Sequence, residues 1–255
     1  YNVVYVDDEK SSLTPMMTVK KRQKPEEYEE EFKTIPKRIK DKIKDDVIVV
    51  LSGCSSVSSI SLRFLHAIKQ KNVTIVYVRP ELDLLDEKKQ MQEKVIYSVL
   101  QEYTRSGLFE MVYLFENQVL DKVVENASIK DYYPSMNSLI VSTFHMLKVF
   151  EHQEQVIGNF QDINPARRIC TLGILDMKTQ EETLFFNLSE KMSVRMYYGI
   201  SQETLNQDRN LQRSIINLVK DKNEELCRYS YGVYETQYDS DFCYVKAYSS
   251  KVQDF

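Results

Sequence analysis

Glycine is scarce in this chain, at six in 255 residues, against roughly 7% in ordinary globular proteins. Loops that need φ > 0, or close approach of backbone to a phosphate, must therefore be few. Tryptophan is absent, and the three histidines (His66, His145, His152) sit in helical patterns that make no ligand cluster. The four cysteines (Cys54, Cys170, Cys227, Cys243) lack CxxC spacing. That argues against a zinc site and a disulfide framework, and fits buried thiols in a reducing compartment. No metal site is expected. No apolar run approaches the ~20 residues of a membrane span, and no signal peptide is visible. The net charge of −4 gives no electrostatic ground for nucleic acid or an anionic membrane as partner.

What is present alternates between strand and helix. Residues 1–6 read as a strand ending in the acidic turn Asp7-Asp8-Glu9. Pro25-Glu26-Glu27 opens a helix, with Pro near its first position and acids in the first turn, that runs with interruption at Pro36 to about Lys44. Val47–Leu51 is a short apolar run of the kind that fills a buried parallel strand. A helix is predicted over Ser59–Gln70, a β-branched strand over Val73–Val78 halted by Pro80, and a long helix over Asp86–Ser106. That last helix carries apolar positions at Met91, Val95, Ile96, Val99 and Leu100. A strand follows over Leu108–Phe115. Ser135–Glu151 is apolar almost all round, which predicts a helix buried between two packed units. After Pro165 the texture changes to strands over Arg168–Leu175, Val194–Tyr198, Arg228–Tyr234 and Phe242–Ala247, with helices over Glu181–Glu190 and Leu205–Asn223. The fold class is α/β: a mostly parallel Rossmann-like sheet with helices on both faces, a long central helix, and a smaller C-terminal α/β domain with a four-stranded sheet. The domains divide as 1–134, 135–164 and 165–255.

The loop between Val47–Leu51 and its helix is Ser52-Gly53-Cys54-Ser55-Ser56-Val57-Ser58-Ser59. A strand, a small-residue loop and a helix N-terminus form an anion cradle from backbone N–H groups. Only one glycine remains in it, and the β-branched Val57 crowds the approach. Two readings stay open: a phosphate contact through serine hydroxyls and N–H groups, or a plain cluster of helix-capping residues.

The order of elements resembles the tubulin/FtsZ superfamily over almost the whole chain. Residues 1–13 (YNVVYVDDEKSSL) are similar to that family's strand ending in an Asn-Thr-Asp turn. Gly53–Ser59 (GCSSVSS) stands where the family carries GGGTGSG. Val76-Tyr77-Val78-Arg79-Pro80 matches a strand ending in Pro. Leu114–Leu120 (LFENQVL) resembles the strand end "IPNDxLL", and Tyr133-Pro134-Ser135-Met136-Asn137 stands at the base-contacting start of the central helix. Asn159-Phe160-Gln161-Asp162-Ile163 resembles the DFxDV loop that activates water on the next subunit's nucleotide. The resemblance implies nucleotide contacts from Gly53, Cys54, Ser55, Ser56, Ser58, Ser59, Tyr133 and Asn137. It leaves Asp162 as a vestigial catalytic acid. Asn159 replaces the loop's other carboxylate, and an amide cannot take a proton from water. Asn137 reads equally as a helix cap, and Asp162 as an exposed turn acid before Asn164-Pro165. The ribose-contacting Glu and Arg do not map cleanly onto Leu82–Lys88.

An earlier βα unit, holding the family's first phosphate loop, is expected upstream of Tyr1. The implied function is a structural or assembly protein acting through head-to-tail or multi-subunit contacts, with a degenerate, non-hydrolysing nucleotide site. Its partners are protein subunits, identical or different, and its ligand is GTP or GDP with Mg, or none. The alternative is an active polymerising GTPase. A third option, an unrelated doubly wound domain, is disfavoured by the long apolar helix followed by a four-stranded unit. The tyrosine content (17) suits either an interface or plain sheet faces. Residue usage suggests an AT-rich source such as a bacteriophage, so the location is cytoplasmic or within a viral particle or infected cell.

Overall fold

The β-branched runs form strands, and the chain is a mixed α/β protein. This computed structural model describes residues 3–9, 12, 16–124, 128 and 130–255. The first two residues of the expected opening strand lie outside that set. Two compact units form, Tyr1–Tyr113 with Val252–Phe255, and Leu114–Lys251.

In the first unit, β1 (Tyr5–Asp7) pairs in parallel with β2 (Met16–Thr18). α1 (Pro25–Glu31) has Pro in its first turn, and Pro36 separates it from α2 (Lys37–Lys40). Then come β3 (Asp46–Ser52), α3 (Ser61–Ala67), β4 (Asn72–Arg79), α4 (Glu87–Arg105) and β5 (Met111–Glu116), the last crossing into the second unit. β3 runs parallel to β4 with Val47 opposite Val73, and the strand order is β3-β4-β5. The expected helix over Ser59–Gln70 is shorter, a 3-10 turn at Val57–Ile60 followed by α3. Asp86 caps α4 by accepting from Lys89 N–H at 2.8 Å. Gly107 ends it at φ 86°, with Leu108 N–H donating to Tyr103 O at 3.0 Å. Of the apolar positions marking α4 in the sequence, Ile96 and Leu100 are buried beside Tyr97 and Glu93, whereas Met91 and Val95 face solvent. Residues 252–255 lie on this unit. Gln253 N–H donates to Gln101 Oε1 (2.8 Å), and Gln101 Nε2 donates back to Gln253 O (3.3 Å).

The second unit contains α5 (Asn117–Val123), α6 (Tyr132–Glu151), β6 (Ile157–Gly158), β7 (Ile169–Leu175), β8 (Glu182–Leu184), β9 (Ser193–Ser201), α7 (Gln202–Gln207), α8 (Leu211–Lys222), β10 (Arg228–Thr236) and β11 (Phe242–Ser249). Its strand order is β7-β11-β9-β10-β6, with β8 on β7. β9 and β10 are parallel; β11 runs antiparallel to β7 and β9, and β6 to β10. All four strands expected after Pro165 are present. The helix expected over Glu181–Glu190 is instead the short strand β8, followed by the buried pair Phe185 and Phe186. The helix expected over Leu205–Asn223 breaks into α7 and α8, because the Asp208 carboxylate accepts Asn210 N–H at 2.8 Å and turns the chain.

Strand alternation sorts this sheet into two buried faces. Val194, Met196, Tyr198, Tyr231, Val233 and Val245 pack with Ile215 and Val219 of α8. The opposite face holds Tyr197, Tyr234 and Phe242, where Phe150 of α6 stacks on Tyr234 with centroids 4.4 Å apart. Most of the late tyrosines are thus sheet-core residues, while Tyr238 is exposed. α6 begins at Tyr132, three residues earlier than expected, and is buried on one stripe only: Met136, Ile140, Thr143, Leu147 and Phe150. Val141 is 66% exposed, so the all-round burial expected of this helix is not found.

Glu151 at the end of α6 meets Lys246 (2.9 Å) and Lys148 (2.7 Å). Burial works to raise its pKa, but the two ammonium groups win and hold it at about 2. The ionised form is therefore favoured in the fold, and this stabilisation is complete above the free-carboxyl value of about 4.3 and lost as pH falls toward 2. Lys246→Met should cost on the order of 2 kcal/mol at pH 7, below the usual buried-pair loss because Lys148 remains. Urea titrations at pH 7 and pH 3 check this, with the gap between variant and wild type shrinking at the lower pH.

Candidate functional site

The turn after β3 is built around a buried carboxyl. Gly53 N–H donates to Val78 O at 2.9 Å, and Cys54 takes a left-handed φ of 57°, a conformation in which a side chain is strained. Glu93 comes from the inward face of α4 and is fully buried. Its Oε1 accepts the Tyr77 hydroxyl at 2.7 Å. The Cys54 thiol has two acceptors, Lys89 O at 3.2 Å and Glu93 Oε2 at 3.5 Å. Desolvation raises the Glu93 pKa, while hydrogen bonds from Tyr77 and from the Cys54 thiol and backbone, together with the Arg79 charge, work to lower it. Burial and the adjoining carboxyl push the Cys54 thiol up to about 12, so it stays protonated. Burial also raises Tyr77. Gly53 is required for space: a Cβ there would lie 2.4 Å from Glu93 Oε2 and 2.6 Å from Pro80 Cδ.

The serines that follow turn inward on themselves. Ser58 Oγ donates to Ser52 O at 2.5 Å, Ser59 Oγ to Ser56 O at 2.7 Å, and Ser61 Oγ to Ser58 O. Ser58 is buried, whereas Ser55 and Ser56 are exposed. A hydroxyl has one proton to donate, and in Ser58 and Ser59 it goes to a loop carbonyl.

The other residues implied by the resemblance lie in the second unit. Tyr133 and Asn137 are exposed on the first two turns of α6. Asn137 is not the cap of that helix, since α6 starts five residues before it. Tyr132 and Tyr133 pack edge to face at 5.2 Å. Asp162 is exposed in the loop after β6. Asn159, which the resemblance sets at a carboxylate position, extends the ladder onto β10: its N–H donates to Tyr231 O and its Oδ1 accepts Tyr231 N–H, both at 2.9 Å. Phe160 is anchored against Tyr197 at 4.9 Å and under the Arg195 guanidinium at 5.0 Å. The loop end is an Asx turn, with Ala166 N–H donating to Asn164 Oδ1 at 2.9 Å. Glu116 and Asn117 mark the start of α5. Reading the residues in order missed Glu93. The available signal was a charged residue on the stripe shared by Ile96, Tyr97 and Leu100.

No family profile and no curated protein sequence matches the chain. Solved structures do. A GTPγS-form protofilament of TubZ from Bacillus thuringiensis serovar israelensis superposes with TM-score 0.62 at 13% identity, covering 94% of this chain and 73% of that one. The fold is that of the tubulin/FtsZ superfamily. CetZ from Methanosaeta thermophila strain DSM 6194 is similar at TM-score 0.54 and 16% identity, and the empty FtsZ dimer of M. jannaschii at 0.53 and 10%. Against the last two the chain covers 83% and 82% of itself and 64% of each partner.

Because desolvation penalises ionised Glu93, its contribution to stability falls as pH rises through the free-carboxyl value of about 4.3. Glu93→Gln should therefore melt above wild type at pH 7 and converge with it below pH 4; a lower Tm for the variant at pH 7 would refute this. Gly53→Ala should destabilise by about 1–3 kcal/mol through the clash with Glu93 and Pro80, measurable in the same circular-dichroism melts.

Proposed function

We propose that this chain is a tubulin/FtsZ-like assembly protein with a degenerate nucleotide site, working through contacts between subunits and not through hydrolysis. The observation that carries the reading is Glu93. A phosphate cradle needs outward N–H donors and a positive or neutral backing. Here a carboxyl stands behind the turn, the Cys54 thiol and backbone are directed to it, and Gly53 N–H is spent on Val78 O. Ser58 and Ser59 donate to carbonyls. These residues do not fit a triphosphate.

The loop that in such filaments reaches the next subunit is also altered. Asn159 serves the β10 ladder, which leaves Asp162 as its carboxylate. Surviving function then rests on head-to-tail surfaces, between copies of this chain or with a different subunit. The TubZ neighbours are described as two-stranded and four-stranded filaments as well as protofilaments, which supports assembly as the retained property. A second reading, an active polymerising GTPase, is favoured by neighbours in GTPγS and GDP forms.

The deciding experiment is phosphate release and pelleting of the purified full-length protein, with and without GTP. The expected result is nucleotide-independent assembly with no phosphate release, unchanged in rate by Asp162→Ala. GTP turnover that falls tenfold or more in Asp162→Ala establishes the GTPase reading instead.

A further inference from the structure

Away from its buried face, α4 carries a second apolar row, of which Met91 and Val95 are exposed, Val99 is half-buried, and Tyr103 is exposed although its ring meets Phe109 edge-on at 6.2 Å. Met91, Val95, Val99 and Tyr103 recur every fourth residue and so form one slanted ridge about 18 Å long. Met91 is 71% exposed, Val95 53% and Tyr103 44%, while the buried positions (Glu93, Ile96, Tyr97, Leu100, Gln101, Thr104) occupy the other side. A ridge of this kind on a helix already anchored in its own core is a packing surface for another helix.

Charge identifies the occupant. Lys88 lies seven residues before Val95 and Glu102 seven residues after it, both on the ridge side of the helix. When α4 of a second copy is laid antiparallel with Val95 on Val95, Met91 falls opposite Val99, and Lys88 of each copy falls opposite Glu102 of the other. A parallel arrangement in register sets Lys88 on Lys88 and Glu102 on Glu102, which repels. At present Lys88 pairs with Glu26 at 3.4 Å and Glu102 with Arg105 at 2.7 Å. Both pairs are solvent-exposed, and such pairs are weak and exchange readily.

We infer that the exposed α4 ridge is a two-fold self-docking surface at which two copies of this chain pair antiparallel about Val95. The contact is isologous, so it closes on itself and pairs chains sideways without extending a filament. It does not rest on the proposed function, because neither the serine turn nor Asp162 takes part. Its small area makes it a weak contact alone, one that gains strength when several copies are already aligned.

The test combines crosslinking with a charge swap. Under mild oxidation, Val95→Cys should give a disulfide-linked dimer at least ten times faster than the exposed control Arg63→Cys, since only the two-fold brings residue 95 onto its own copy. Wild type sets the background from Cys54. In sedimentation velocity at low salt, Lys88→Glu and Glu102→Lys should each raise the dimer dissociation constant at least threefold, and the double variant should return it to within twofold of wild type. All four positions are exposed, and circular dichroism confirms folding. Val95→Cys crosslinking no faster than the control overturns the inference. So does a double variant no better than the singles, in which case the ridge serves a different protein or a segment outside residues 1–255. Nucleotide-independent pelleting that persists while pairing is lost separates this contact from head-to-tail assembly.

Discussion

Burying a carboxyl group is the constraint around which the first unit is organised. A carboxylate taken out of water is tolerated only where donors converge on it. The donors for Glu93 come from two places far apart in sequence, the Tyr77 hydroxyl on β4 and Cys54 on the turn after β3. Strand, turn and helix are thereby set against one another at one point. The left-handed Cys54 and the Cβ-free Gly53 follow from the closeness of that approach. The same arrangement consumes the polar capacity of the turn, since the Cys54 thiol and the Gly53 N–H are both engaged inside the unit.

The second unit depends on a different principle. Its strands are apolar on both faces because α8 covers one and α6 the other, and the period of two distributes aromatic residues to both. Tyr198 and Tyr231 face α8, while Tyr197 and Tyr234 face α6. Lys246 sits on the α6 face, is almost wholly buried, and is satisfied by Glu151. A hydroxyl or an ammonium in such a place supplies directional contacts that a purely aliphatic sheet lacks, and these fix the helix at its C-terminal end.

The strands were legible because their signals are local. Val47–Leu51 and Val73–Val78 are β-branched, and the four late strands carry aromatic and β-branched residues at period two. The order of elements carried the superfamily resemblance. What failed was whatever tertiary contact decides. Glu181–Glu190 reads as helical from its glutamates, yet Phe185 N–H donates to Leu172 O and the segment joins the sheet edge. The break between α7 and α8 comes from one Asx contact. α6 is apolar all round in composition but buried on one stripe, and composition cannot say which neighbours are present. The serine loop was visible as a turn, but its hydroxyl directions and the carboxyl behind it belong to residues separated by about forty positions. The helical stripe marks Glu93 as inward-facing, but no local pattern says which turn it meets.

One contact has a temporal side. Gln101 clasps the backbone of Gln253 across 152 positions of sequence, and Phe255 lies against Tyr97 and Arg79. The earlier of the two units therefore cannot complete this contact until residues 252–255 have been synthesised. The last piece of that unit's surface is thus supplied only after the whole of the second unit has been made, a contact of high sequence separation that closes late.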